Sequence, residues 1–196
     1  MKSIFIIFIL LIFVSCKEKL PIIDSFKDSH YRLVNQNREA KIFPSVVKGK
    51  VVVVGFIFTN CPDICPLTTN NMRLIQDQLK KEQINERVEF VSISFDPQND
   101  SPDVLKKFAE IRNLDLTNWN FYTGKKETID SLLLLSRVMA VPTDSTIYND
   151  GKKTYYFTHT DRIQLADAEG QIRKNYPGSK INIEEIINDI KTIIKE

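Results

Sequence analysis

Side chains able to bind a soft metal or exchange thiols are scarce in this chain, with three cysteines and two histidines in 196 residues. Any such chemistry has few addresses. An excess of one charge sign is also lacking. The 27 Lys and Arg nearly balance the 25 Asp and Glu, for a formal net charge of +2, which predicts no nucleic-acid or polyanion partner. The N-terminal apolar run, residues 4–14, falls well short of the ~20 residues that a membrane-spanning helix needs. No repeat or low-complexity block divides the chain, and the part beyond Cys16 is about the size of one domain.

That short run has its own meaning. Met1-Lys2-Ser3 is a basic start, residues 4–14 are apolar, and Ser15-Cys16 precedes the charged Lys17-Glu18-Lys19. This is the pattern of a secretory signal. The cysteine directly after Val14-Ser15 resembles a bacterial lipobox, although Phe13 replaces the usual leucine. The expectation is a signal peptide over residues 1–15, lipidation at Cys16, a membrane tether over residues 16–30 and one domain over residues 31–196, placed in the bacterial cell envelope and facing the periplasm or outside. Ordinary cleavage with a stray thiol, or an uncleaved anchor, are the alternatives. Lipidation of Cys16 would leave Cys61 and Cys65 as an even pair in an oxidising compartment.

The chain is organised around Thr59-Asn60-Cys61-Pro62-Asp63-Ile64-Cys65-Pro66. It follows Val51-Val52-Val53-Val54-Gly55-Phe56-Ile57-Phe58, too continuous for a half-exposed strand, hence a buried parallel one. After Pro66 the spacing of Leu67, Leu74, Ile75 and Leu79 predicts a helix through Lys80. Pro66 in the first helical position makes Cys65 the N-cap, with Cys61 in the loop before it. Both sulfurs then face the positive end of a helix dipole, which favours thiolate, the form that attacks disulfides and binds soft metals. Two inert structural cysteines, or a structural disulfide, remain the plain alternative.

Elsewhere the pattern predicts a leading hairpin at residues 31–34 and 40–44. A second buried strand follows at residues 88–95, then a helix capped by Ser101 with Leu105, Phe108 and Ile111 on one face. A short strand at residues 118–122 and a helix over residues 128–139 come next. Residues 142–158 form a polar insert with a turn signal at Asn149-Asp150-Gly151. A hairpin at residues 160–166 and 171–176 and a helix over residues 183–194 close the chain. This order is that of a thioredoxin-like α/β fold, a central mixed sheet flanked by helices, with an N-terminal extension. Val141-Pro142-Thr143 resembles the thioredoxin proline signature, but the residues after it cannot make a core strand. The hairpin that can begins after His159, so His159 is expected opposite Cys61 and Cys65. Two thiolates and an imidazole suit copper, as Cu(I) or Cu(II); a surface histidine is the alternative. His30 has no ligand-type spacing and is read as incidental.

Residues Phe56-Ile57-Phe58-Thr59-Asn60-Cys61-Pro62-Asp63-Ile64-Cys65-Pro66 resemble the motif of the Sco/SenC family, the copper proteins of cytochrome c oxidase assembly. Residues 91–102, which include Asp96-Pro97-Gln98-Asn99-Asp100, continue the likeness, and it ends at the histidine before the hairpin. The resemblance implies copper ligation by Cys61, Cys65 and His159. It also implies a carrier serving the copper-centre subunit of a respiratory oxidase, or a reductase using Cys61 and Cys65 as a redox pair to keep that subunit's cysteines reduced. The family's usual aspartate before the histidine is Thr158 here, which leaves a supporting carboxylate in question. Asp96 and Asp100 either position the site or a partner or serve only the turn and helix start, and Asp63 is open in the same way, its plain alternative being a loop carboxylate accepting from the following amides.

Overall fold

The structure is a computed structural model and describes residues 19–147 and 153–196. The signal and lipidation readings, with Cys16, and the Asn149-Asp150-Gly151 turn lie outside the described residues. In chain order the strands are β1 (Asp24–Ser25), β2 (Tyr31–Asn35), β3 (Ala40–Phe43), β4 (Val51–Ile57), β5 (Val88–Ser94), β6 (Trp119–Gly124), β7 (Ala140–Ile147), β8 (Lys153–His159), β9 (Ile163–Ala166) and β10 (Gln171–Tyr176). The helices are α1 (Ile64–Lys81), α2 (Pro102–Ile111), α3 (Lys126–Leu135) and α4 (Ile183–Ile194). Eight strands form one sheet in the order β1-β10-β9-β4-β5-β6-β2-β3, and β7 pairs with β8 alone. Strands β4, β5 and β6 run parallel, while β9 joins β4 antiparallel, so the sheet is mixed and the thioredoxin-like expectation holds.

Every residue of β4 is buried, as its unbroken apolar run requires. Helices α1 and α4 pack on β4, α2 on β6 and α3 on β2. The buried stripe of α1 is not the expected one. Leu67 and Leu74 are exposed, and Cys65, Thr68, Thr69, Met72, Ile75, Gln76 and Leu79 face inward. Two polar members of that stripe have partners: Gln76 Nε2 donates to Asn118 Oδ1 at 2.7 Å and to Asp115 O at 2.9 Å, and Thr68 Oγ1 donates to Ile64 O at 3.1 Å, whereas Thr69 Oγ1 and Gln76 Oε1 meet no partner among the described residues. Satisfied amides and hydroxyls can occupy a core face that hydropathy alone reserves for leucine.

The helix boundaries also shift. Helix α1 starts before Cys65, with Asp63 as N-cap, so Cys65 and Pro66 both lie in the first turn. Proline is tolerated there because first-turn amides have no intrahelical acceptor to lose. Asp63 makes no side-chain cap bond, which leaves the loop-acceptor alternative for it without support. Helix α3 ends at Leu135 because Arg137 takes a left-handed φ of 52° and the Val138 amide closes back on Leu133 O, so residues 136–139 leave the helix. Ile111, at the end of α2, is exposed, and Ala109 is buried beside Leu105 and Phe108. Part of the stretch read as tether belongs to the domain: β1 pairs with β10, and the fully buried Phe26 sits edge-on to Phe43 at 5.1 Å.

Candidate metal centre

Strand β4 delivers the chain to its C-terminal end, where Phe58, Thr59 and the loop to Ile64 carry the first cysteine and α1 carries the second. The Cys61 amide donates to Phe58 O at 3.3 Å, which curls the loop back over the strand end. Cys65 is fully buried and Cys61 half-buried. The Cys65 amide donates to Cys61 Sγ at 3.4 Å, and the Phe58 amide to Cys65 Sγ at 3.5 Å. The expected help from the helix terminus reaches one sulfur, Cys61, through the Cys65 amide; Cys65 receives its N–H from Phe58 at the end of β4, and its thiol is not favoured as thiolate.

His159 is the last residue of β8, so the polar insert itself, rather than the core hairpin that begins at Ile163, brings it to the cysteines. Along β8, Tyr155, Phe157 and His159 point one way and are half-buried, whereas Tyr156 and Thr158 are exposed. The His159 ring packs tilted on Phe95, centroids 5.0 Å apart, and Phe157 sits edge-on to Phe58 at 5.0 Å. His159 Nδ1 lies 3.2 Å from Thr160 O. A carbonyl only accepts, so Nδ1 carries the proton and Nε2 presents its lone pair to the sulfurs. The strand alternation turns Thr158 away from the imidazole. The hydrogen-bond partner of the imidazole Nδ1 is the backbone carbonyl of Thr160, and Thr158 supplies none.

His159 Nε2 is 3.9 Å from Cys65 Sγ, and the ligand atoms of Cys61, Cys65 and His159 all lie within 4.8 Å of one another. His30 is exposed and takes no part. The Cys61 thiol is lowered from its ordinary value to about 4, chiefly by the hydrogen bond from Cys65, with burial opposing and His159 and the Cys65 and Asp63 amides assisting. The same bond, then burial, pushes the Cys65 thiol far up. The pair thus gives up its first proton from Cys61. Burial pulls the His159 imidazole down, but bonds to Cys61 and the Thr160 carbonyl outweigh it and the net shift is upward. Two soft sulfurs and one imidazole nitrogen, converging at the rim of the fold, fit a thiophilic cation such as copper.

The aspartates at the start of α2 are decided by contacts. Asp100, fully buried, accepts from the Thr59 amide at 3.0 Å, from Thr59 Oγ1 at 2.5 Å and from Ser94 Oγ at 2.5 Å. Asp96 accepts from the Tyr155 hydroxyl and from Asn99 Nδ2. The ring packing of Tyr155 and Phe157 on Phe58 and Phe95 is not foreseen by the sequence pattern, which places Phe58 and Phe95 only as buried strand residues. The available signal was aromatic and imidazole residues at every second position of residues 155–159.

With this geometry in view, the comparisons are specific. The SCO1/SenC family model matches residues 23–195. The chain belongs to the SCO1/SenC family. Its relatives include a SCO1 protein homolog of Bacillus subtilis (strain 168), 34% identical over 80% of this chain and 78% of that protein. Among solved structures, a SCO1/SenC family lipoprotein from Bacillus anthracis str. Ames is 32% identical, with a TM-score of 0.70 over 84% of this chain and 93% of that one. Bradyrhizobium japonicum ScoI, solved with copper bound, is 26% identical with a TM-score of 0.69, covering 84% and 97% of the two chains. No helix among the described residues of this SCO1/SenC protein is long and apolar enough to cross a membrane.

Proposed function

We propose that this protein is a copper metallochaperone, lipid-anchored through Cys16 on the outer side of a bacterial membrane. It holds one copper ion through Cys61, Cys65 and His159 and passes it by ligand exchange to the copper centre of a respiratory cytochrome c oxidase. The observation that carries this reading is the convergence of two sulfurs and an imidazole nitrogen within 4.8 Å. The copper held by the related Bradyrhizobium protein supports it. Copper is cargo here, and the chain's part is to present ligands. Cys61 is ionised near neutral pH and half-exposed, so it is the ligand an incoming acceptor meets first. Cys65 is buried beneath it, and its thiol must lose its proton as the metal enters.

The test is metal analysis of the purified, reduced full-length protein. It should hold about one equivalent of copper and show thiolate-to-Cu(II) charge-transfer absorption. Cys61→Ser or Cys65→Ser should abolish both. His159→Ala should retain Cu(I), which two thiolates can hold, and lose stable Cu(II), which prefers additional nitrogen or oxygen ligands. A parent that takes no copper would sink the reading.

One observation favours a second reading, a thiol-disulfide reductase that keeps the oxidase's copper-binding cysteines reduced. Cys61 has the low pKa and exposure of an attacking thiolate, and Cys65 sits beside it as the resolving thiol. The Cys61 thiolate would attack a target disulfide and release one target thiolate. Cys65 would then displace the second, leaving the target reduced and Cys61–Cys65 oxidised.

A further inference from the structure

The two halves of the ligand set arrive by independent routes. Cys61 and Cys65 sit on the end of β4 and the start of α1, inside the core. His159 ends a hairpin, β7–β8, that pairs with no strand of the large sheet among the described residues. The nearest backbone ladder reaches His159 only through residues 160–162, at Ile163 opposite Gly55 of β4, so the seating of the hairpin over the sulfurs is left to side chains. Beyond His159, Thr68 Oγ1 donates to Asp161 Oδ1 at 3.3 Å; along the hairpin itself the packing is aromatic. The rings of Tyr155 and Phe157 lie over Phe58, at 6.1 and 5.0 Å, and Phe157 also meets Phe95 at 5.2 Å. Such ring contacts hold the hairpin down without fixing where it sits along the core, because apolar burial is non-directional. A hydrogen bond is directional.

We propose that the turn from Asp96 to Asp100 is the positioning device of the site: Asp96 holds the His159 hairpin through the Tyr155 hydroxyl, and Asp100 holds the Cys61 loop through Thr59. The turn is rigid by its own bonds. The Asn99 and Asp100 amides both donate to Asp96 O, at 3.1 and 2.9 Å, and the Asn99 side chain donates to both Asp96 carboxylate oxygens at 3.0 and 3.1 Å. Ser94 Oγ accepts from the Asp96 amide at 3.0 Å and donates to Asp100, joining the two aspartates through one hydroxyl. Thr59 stands two residues before Cys61, and Tyr155 four residues before His159 on the same strand face. One bracket thus sets both members of the pair whose spacing decides the coordination number. With the Tyr155–Asp96 bond made, His159 closes the site to three ligands. With it broken, the hairpin loses its directional tie to that turn and keeps only ring packing along Tyr155 and Phe157, with the Thr68–Asp161 bond beyond His159; the imidazole is held less firmly over the sulfurs, which alone make a two-coordinate site suited to Cu(I).

This rests on the copper reading above, and the test separates the two. In the full-length protein Tyr155→Phe removes one hydroxyl and keeps the ring on Phe58. Loss of a hydrogen bond to a carboxylate should lower Cu(II) affinity roughly tenfold and weaken the charge-transfer band, while Cu(I) affinity, measured by competition with a chromophoric chelator, stays within about twofold. Asp96→Ala should match Tyr155→Phe, the double variant should be no worse than either, and Asp96→Asn, which keeps an oxygen acceptor, should recover most of the loss. In the metal-free protein, modification of His159 by diethyl pyrocarbonate should be several-fold faster in Tyr155→Phe, with exposed His30 unchanged as the internal reference. Parent-like Cu(II) binding in Tyr155→Phe would overturn the proposal. Equal losses of Cu(I) and Cu(II), or faster modification of both histidines, would also overturn it, because they report general loosening. If the parent binds no copper yet His159 alone becomes more reactive in Tyr155→Phe, the copper reading fails and the positioning role stands.

Discussion

His159 Nε2 approaches Cys65 Sγ to 3.9 Å although 94 residues separate them in the chain. A buried sulfur on a core helix and a half-buried imidazole on a two-stranded insert make one site. The chemistry therefore depends on an approach between two parts of the fold that share no backbone ladder among the described residues.

The carrier and reductase readings share both cysteines, so His159 is the lever between them. Thiol exchange depends on thiolate fraction, leaving-group pKa and access, and none of these requires an imidazole, whereas holding Cu(II) does. Cells carrying His159→Ala should lose oxidase activity nearly as fully as cells carrying Cys61→Ser, and excess copper should partly restore it. Retained oxidase activity in His159→Ala without added copper, with a thiol reductant rescuing the cysteine variant, would decide for the reductase.

Cys61 should react as a thiolate across the neutral range. Its folded-state pKa is lowered to about 4, so reactivity persists as pH falls from 8 and is lost only on descent through that value. An ordinary thiol loses about tenfold per pH unit below ~8.5. Iodoacetamide should label the metal-free protein once, at Cys61, with a nearly flat rate between about pH 6 and 8. Cys65→Ala removes the largest cause of the lowering, so the profile should regain an ordinary slope. A steep profile in the parent would refute the assignment.

Asp100 carries a structural prediction. Burial raises its carboxyl, and the Ser94 and Thr59 hydrogen bonds only partly counter this. A folded-state pKa above the unfolded one means that its contribution is fully present below the unfolded value and is lost as pH rises through the folded value. Relative to Asp100→Asn, the parent should gain stability as pH falls from neutral through the carboxylate range, read from urea midpoints. Asp100→Ala leaves the Thr59 amide and two hydroxyls without an acceptor and should cost about 3 kcal/mol at pH 7. Equal pH slopes for the parent and Asp100→Asn would contradict the shift.

Gly55 lies under α1, where an added Cβ would come 2.5 Å from the Met72 sulfur. Gly55→Ala should destabilise by about 2 kcal/mol through overpacking. Combining it with Met72→Val should cost less than the sum of the single changes, because the two share one contact. Additive urea-melt losses would show that α1 shifts as a body instead.

Much of this protein was legible in one dimension because some signals are local. The β4 run, the Cys61–Pro66 loop, the Ser101 cap, the hairpin at residues 160–166 and 171–176 and α4 each follow from propensity, periodicity and turn chemistry within a few residues. The polar insert at residues 142–158 and the choice of His159 over Pro142 were also readable, since residues 144–150 lack the apolar pattern of a core strand. The buried face of α1 was not, because Thr68 and Gln76 are admitted by partners at Ile64, Asp115 and Asn118, and the Gln76 partners lie some 40 residues away. The roles of Asp96 and Asp100 were ambiguous for the same reason. A carboxylate in a turn looks the same in sequence whether or not Thr59 and Tyr155 reach it, and only the folded chain brings those donors to it. Sequence determined which residues could bind a soft metal, because so few can. Tertiary structure decided that three of them meet, because β7–β8 pairs with no strand of the large sheet among the described residues and reaches the cysteines through its short link to β9 and through side chains whose partners are distant in sequence.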